Sequence, residues 1–343
     1  MLIFKIKSNP AIEVTIGAKL KQGSSLMLYG LKEACSLHRP IILCYRSRSL
    51  LIRTGQCFLF NGFIFLGSVF IMKSFLIPML KSILPDECPH MIDEEVWQCG
   101  AIRKLYSAER GFLEHLIYLC WFFPVYVFSF VLSTIWYNDI ALHGFNAMGI
   151  YKASSQKISS EKDVSSTETS ASNKPGGLGG AMIGIGEQSY SLLLLTFFLI
   201  EAYAAGFIPY LGKAIKFLLL CWMYGYYSFE YKWNLSEVNL DRRLDYFESN
   251  WAFFAGFGFP CALAIYSFPT LESSAVMATL FPLFVLTATG SDGDHLIKSP
   301  RKQWLGAGLA RVPIFCAADT LSMKILSFLP FSMQDQEHGN KAL

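Results

Sequence analysis

From Cys57 to Leu80 the chain runs CFLFNGFIFLGSVFIMKSFLIPML with a single charge, Lys73, near its end. A helix of that length crosses the roughly 30 Å hydrocarbon layer of a bilayer, which takes about 20 apolar residues. Only 16% of the 343 residues are charged and 53% are hydrophobic, whereas soluble domains carry about 25% charged residues. Water is therefore not the solvent for most of this surface, and Lys73 reads as a side chain that snorkels to the headgroups. Leu113 to Tyr137 supplies a second full-length span, with Trp121 and Trp136 as interfacial aromatics and a kink expected at Pro124.

Two further apolar blocks are each broken in the middle. Ser189–Ala205 and Ala214–Phe229 flank a turn with Gly206, Pro209 and Gly212, and Trp251–Phe268 and Ser273–Thr289 flank Pro269 and Glu272. Arms of this length sit at the lower edge of what spans, so each hairpin either crosses fully or is re-entrant. Gln303 to Pro330 has weak helical periodicity and polar interruptions at Arg311, Asp319 and Lys324. It reads as an interfacial amphipathic helix. The fold expected is an all-α membrane protein with two full-length transmembrane helices, two short hairpins and that C-terminal helix.

Charge distribution orients the chain. Residues 1–56 hold nine Lys and Arg against Glu13 and Glu33, so this basic segment is expected to stay cytosolic and to meet anionic headgroups. Lys5, Lys7, Lys19 and Lys21 interrupt every early apolar stretch, so no cleavable signal is expected. The loop 81–112 is acidic on balance and reads as luminal; Cys88 and Cys99 within it are candidates for a disulfide. Cys35 and Cys44 read as reduced thiols or palmitoylation sites. Residues 152–189, rich in Ser, Thr, Lys, Glu and Gly, read as a disordered cytosolic linker. The organisation expected is a basic segment over 1–56, a membrane domain over 57–330 and a disordered tail over 331–343, with both termini cytosolic.

Metal, nucleophile and phosphate-loop signatures do not occur in the sequence, and a net charge of +3 gives no case for nucleic acid. An enzyme is not expected, nor a cofactor. The ionisable residues within or beside apolar runs are Glu201, Lys213, Lys216, Glu230 and Glu272. Hairpin tips and arm ends account for most of them as hydrated groups, which leaves Glu201 as a candidate site residue, with pairing to a polar neighbour in the bundle as the favoured alternative. Arg242, Arg243, Asp245 and Glu248 are spaced as ion pairs on a short surface helix. An alternative reading has Arg242 or Arg243 binding an anion. Asn234-Leu235-Ser236 is a glycosylation sequon expected to face the cytosol and stay unmodified.

This loop carries Phe229-Glu230-Tyr231 with Trp233, Arg243-Leu244, Glu248, Asn250-Trp251, Gly256-Phe257-Gly258 and Pro260. Ile135-Trp136 with Asp139-Ile140-Ala141 precedes it, and Leu280-Phe281-Pro282-Leu283-Phe284 follows. Together, over about residues 55–290, they resemble the etoposide-induced protein 2.4 family of eukaryotic membrane proteins, and the GEQSYSLLLL and LTATG runs resemble its plant branch. The resemblance implies an endoplasmic-reticulum protein needed for autophagy, with autophagy or cell-death regulatory proteins as partners beside the bilayer. A distant bacterial branch of sulfate permeases, similar to CysZ, implies half-penetrating hairpins. Two functions follow: a membrane-shaping or partner-binding scaffold, and as the alternative a small-anion transporter.

Overall fold

The computed structural model describes residues 10–83, 111–113, 115–159, 178–236, 238–291 and 309–328, and among these no strand occurs. The helices are α1 (Pro10–Ala34), α2 (His38–Arg46), α3 (Arg48–Met79), α4 (Phe123–Ser159), α5 (Leu178–Ala205), α6 (Gly212–Leu235), α7 (Leu240–Ser249), α8 (Trp251–Ser267), α9 (Thr270–Gly290) and α10 (Cys316–Phe328). The chain divides into two compact units, one built from residues 1–40, 145–263 and 287–343, the other from 41–144 and 264–286.

In the second unit, α3 opens where extended Ser47 accepts the Leu50 N–H at 3.4 Å. It loosens into π-helical turns at Leu59–Leu66 and Met72–Leu76. Among the described residues, three helical stretches are long and apolar enough to cross a membrane: Arg48–Met79, Gly111–Gly149 and Leu271–Gly290. The last is longer than the expected arm Ser273–Thr289, because α9 starts at Thr270, directly after Pro269, and runs to Gly290. The first two are 17% and 18% buried and the third 56%. Side chains such as Phe63, Phe70, Phe128 and Phe130 therefore form an outward apolar belt suited to lipid, while α9 is interior.

Proline in a helix leaves the carbonyl four residues earlier without its donor. For Pro282 that carbonyl belongs to Ala278, and it accepts from Asn61 Nδ2 and from the Tyr137 hydroxyl, each at 3.0 Å. Asn61 also donates to Ser133 Oγ at 2.9 Å and accepts from Ser129 Oγ at 2.8 Å. The proline thus creates a polar need inside an apolar unit, and α3 and α4 meet it. Ion pairs mark the two ends of the unit, Arg53 with Asp139 at 3.3 Å and Lys73 with Glu272. Arg53 and Lys73 lie about 30 Å apart along α3 at 1.5 Å per residue, matching the hydrocarbon thickness. Lys73 and Glu272, expected as separate hydrated ends, are each other's partner.

In the first unit, α8 is wedged between two helices at backbone contact. A Cβ on Gly256 would lie 1.9 Å from Met27 O, and one on Gly30 would lie 2.0 Å from Phe253 O. On the other side, a Cβ on Gly258 would lie 1.8 Å from Cys221 O and one on Gly225 would lie 2.7 Å from Phe254 O. Residues i and i+2 point about 200° apart on a helix, so Gly256 admits α1 and Gly258 admits α6. The N-terminal basic segment is thereby part of the packed core, through α1.

The α5–α6 hairpin turns where Gly206, Pro209 and Gly212 predicted, and a Cβ on Gly212 would lie 2.7 Å from Ala205 O. Helix α4 runs to Ser159 and α5 starts at Leu178. The Gly-rich end of the expected linker is therefore helical, because the apolar run it leads into outweighs the low helix propensity of glycine. Residues 160–177, Cys88, Cys99 and the tail 331–343 lie outside the described residues.

Gly258→Val has no space to relax into, since its neighbour is backbone. Its expected cost is about 3 kcal/mol or more, read as loss of folded protein in size-exclusion chromatography or a large drop in melting temperature. Gly67→Ala, where a Cβ meets nothing within 4 Å, should hold or raise stability by up to about 1 kcal/mol.

Candidate functional site

Around the α8 wedge the first unit builds an aromatic core. Phe229 packs edge-on to Phe254 and Phe257 at 5.2 and 4.9 Å, Phe247 stacks on Phe254 at 4.4 Å, and Tyr226 meets Phe247 and Phe315 at 5.4 and 5.0 Å. Such pairs prefer edge-to-face and offset geometry. Phe315 comes from the segment ahead of α10, so the C-terminal part of the chain closes this core.

A polar junction rings it. Glu248, buried at the end of α7, accepts Arg311 Nε at 2.8 Å and Nη2 at 2.7 Å on one oxygen and the Phe315 N–H at 3.2 Å on the other. Arg311 Nη1 reaches Asp245 at 2.7 Å, and Trp251 Nε1 donates to Ala310 O at 3.3 Å. The hydrogen bond to Glu248 raises the Arg311 pKa above its ordinary value. One carboxylate therefore fixes both a side chain and the backbone of the returning segment, and the Tyr190 hydroxyl donates to Asp319 to tie α10 to α5.

The candidate residues part company here. Arg243 is buried and donates to Val238 O at 2.6 Å and to Asn234 Oδ1, so it pins the α6–α7 connection. Its neighbour Arg242 is exposed. The expected ion pairs along α7 give way to the longer-range bond with Arg311, because Glu248 faces inward with Phe247 and Arg243. Glu201 lies about 15 Å along α5 from Ser191. There its Oε2 is buried and makes no hydrogen bond among the described residues. Among the described residues no hydrogen bond or ion pair joins Glu201 to Arg243.

Glu230, read from sequence as a hydrated arm end, is buried and accepts the Ser191 hydroxyl from α5. Asn234 of the sequon is exposed, with its amide oxygen taken by Arg243. Lys232 donates to Ser291 O, and Arg39, paired with Glu33, reaches Gly290 O at 3.4 Å. Two cations thus meet the carbonyl end of α9, where the helix dipole favours positive charge. Sequence reasoning missed this cap and the role of Arg311. The available signal was two basic residues without a nearby acid on their own helix faces.

The fold and junction define an all-α membrane protein whose termini-proximal segments lock a helical core. A family model described as sulfate transporter CysZ/etoposide-induced protein 2.4 matches residues 36–272. The chain is 55% identical over 311 residues to a protein EI24 homolog of Arabidopsis thaliana, covering 90% of this chain and 96% of that one. It is 25% identical over 327 residues to a protein EI24 homolog of Dictyostelium discoideum, covering 95% and 91%. Ectopic P granules protein 4 of Caenorhabditis elegans is 28% identical over 199 residues, 56% of each chain. No solved structure matches. The chain belongs to the CysZ/etoposide-induced protein 2.4 family.

Arg243→Ala removes a buried guanidinium and leaves Val238 O and Asn234 Oδ1 without their donor, and is expected to cost about 2 kcal/mol, whereas Arg242→Ala should stay within about 0.5 kcal/mol of wild type. Parallel melting curves in detergent check the contrast. Glu248→Ala is expected to speed amide exchange across residues 309–328 while leaving α3 unchanged, as hydrogen–deuterium exchange would show.

Proposed function

We propose that this protein is a multi-pass endoplasmic-reticulum membrane protein that supports autophagy as a membrane-shaping or partner-binding scaffold, without catalysis. Membership of the family supplies the cellular reading. The polar cluster of Asn61, Ser129, Ser133, Tyr137 and Ala278 supplies the physical support for a scaffold. These groups bond one another at the depth of the apolar belt, whereas a conducting path needs polar groups turned to the solute.

The α5–α6 hairpin offers a route to bilayer deformation. Its tip presents Phe207, Tyr210 and Leu211 outward, with Tyr210 at φ 65°. A side chain held in that left-handed region is uncommon. The apolar stretch of α5, Tyr190–Ala205, is about 24 Å long at 1.5 Å per residue, and an apolar stretch shorter than the hydrocarbon layer perturbs its thickness. The second reading, an anion transporter, draws on the sulfate transporter named in the family description.

In cells lacking the protein, autophagosome maturation is expected to stall and to recover when the wild-type chain is restored. Normal autophagic flux in the null cells would contradict the scaffold's cellular role.

A further inference from the structure

Helix α2 turns two different faces to its surroundings. Pro40 and Leu43 are buried on one side. On the other, Ile41, Ile42 and Tyr45 lie within about 100° of one another around the helix, and their exposures are 66%, 48% and 91%. An outward apolar face next to basic residues calls for an occupant, and the position of α2 names it.

Cys44 Sγ lies 3.9 Å from Thr54 Oγ1, so α2 is held beside the opening turns of α3. Thr54 adjoins Arg53, whose pair with Asp139 marks one end of the 30 Å apolar zone estimated above. Extended Ser47 breaks the helix between the two, so α2 is not the first turns of the span. Its outward face continues into Leu51 and Ile52, exposed at the start of the lipid-facing belt. Arg46 and Arg48 sit at this same level, both exposed.

We infer that α2 is an interfacial helix seated in the headgroup layer of an anionic leaflet, with Ile41 and Tyr45 in the upper acyl region and Arg46 and Arg48 on the headgroups. Tyrosine and arginine suit that layer, the ring straddling the boundary and the cation meeting lipid phosphate or carboxylate. Docked there, α2 fixes the depth and rotation of α3. This is a lipid-recognition role separate from the polar junction and independent of the autophagy reading.

A fluorescent amino acid placed at Ile41 or Tyr45 of the full chain tests this, in nanodiscs of phosphatidylcholine with or without phosphatidylserine. The same free fluorescent amino acid in buffer is the aqueous reference. Emission from 41 and 45 is expected to be blue-shifted and quenched by lipids with a nitroxide near the headgroup. Arg46→Gln and Arg48→Gln should each lower the docked-to-undocked ratio about fivefold with phosphatidylserine present, and little without it. Emission at 41 and 45 matching the free amino acid in buffer would overturn the proposal. So would shielding that is lost on dilution to one chain per disc, which would assign the face to a second copy. An equal response of the arginine variants in both lipids would overturn the anionic part.

Discussion

The backbone-to-backbone approach of α8 to α1 and α6 is the constraint on which the first unit depends. Without side chains at Gly30, Gly225, Gly256 and Gly258 the three helices come close enough for Cα–H to meet carbonyl oxygen. In an apolar setting, where water gives helices little reason to associate, such close packing is a main source of cohesion. It brings Phe253, Phe254 and Phe257 against Phe229 and Phe247. It also makes α1, a basic segment by composition, a core helix along one side.

Polar groups then act where backbone geometry leaves something unsatisfied. The carbonyl freed by Pro282 draws in Asn61 and Tyr137, and the carbonyl end of α9 draws in Arg39 and Lys232. The C-terminal end of α7 is stapled to residues 311–315 through Glu248 and Arg311. Each contact joins segments distant in sequence. The apolar surface supplies the solvent preference of the molecule, and these few bonds select which helices sit side by side.

The sequence made much of this legible. Runs of apolar residues located α3 and α4, and the Gly206, Pro209 and Gly212 turn located the first hairpin. Periodicity carries no information about pairing across many residues, so Glu248 was assigned to its own helix instead of to Arg311. Gly256-Phe257-Gly258 stood out as a resemblance, yet its spacing held a physical statement: two glycines on opposite sides of one helix leave room for a neighbour on each side. Lys73 and Glu272 looked like independent hydrated ends because each was weighed against solvent alone. The first turns of α5 were hidden by glycines whose local preference yields to the apolar run that follows.

The central functional claim is that polar groups at membrane depth serve to hold helices together and leave no conducting path. Sulfate and chloride flux into liposomes carrying the purified, folded protein tests it most directly. The account predicts no flux above empty liposomes. Saturable flux that Asn61→Ala or Glu201→Ala alters while the protein stays folded would contradict it and establish a transporter.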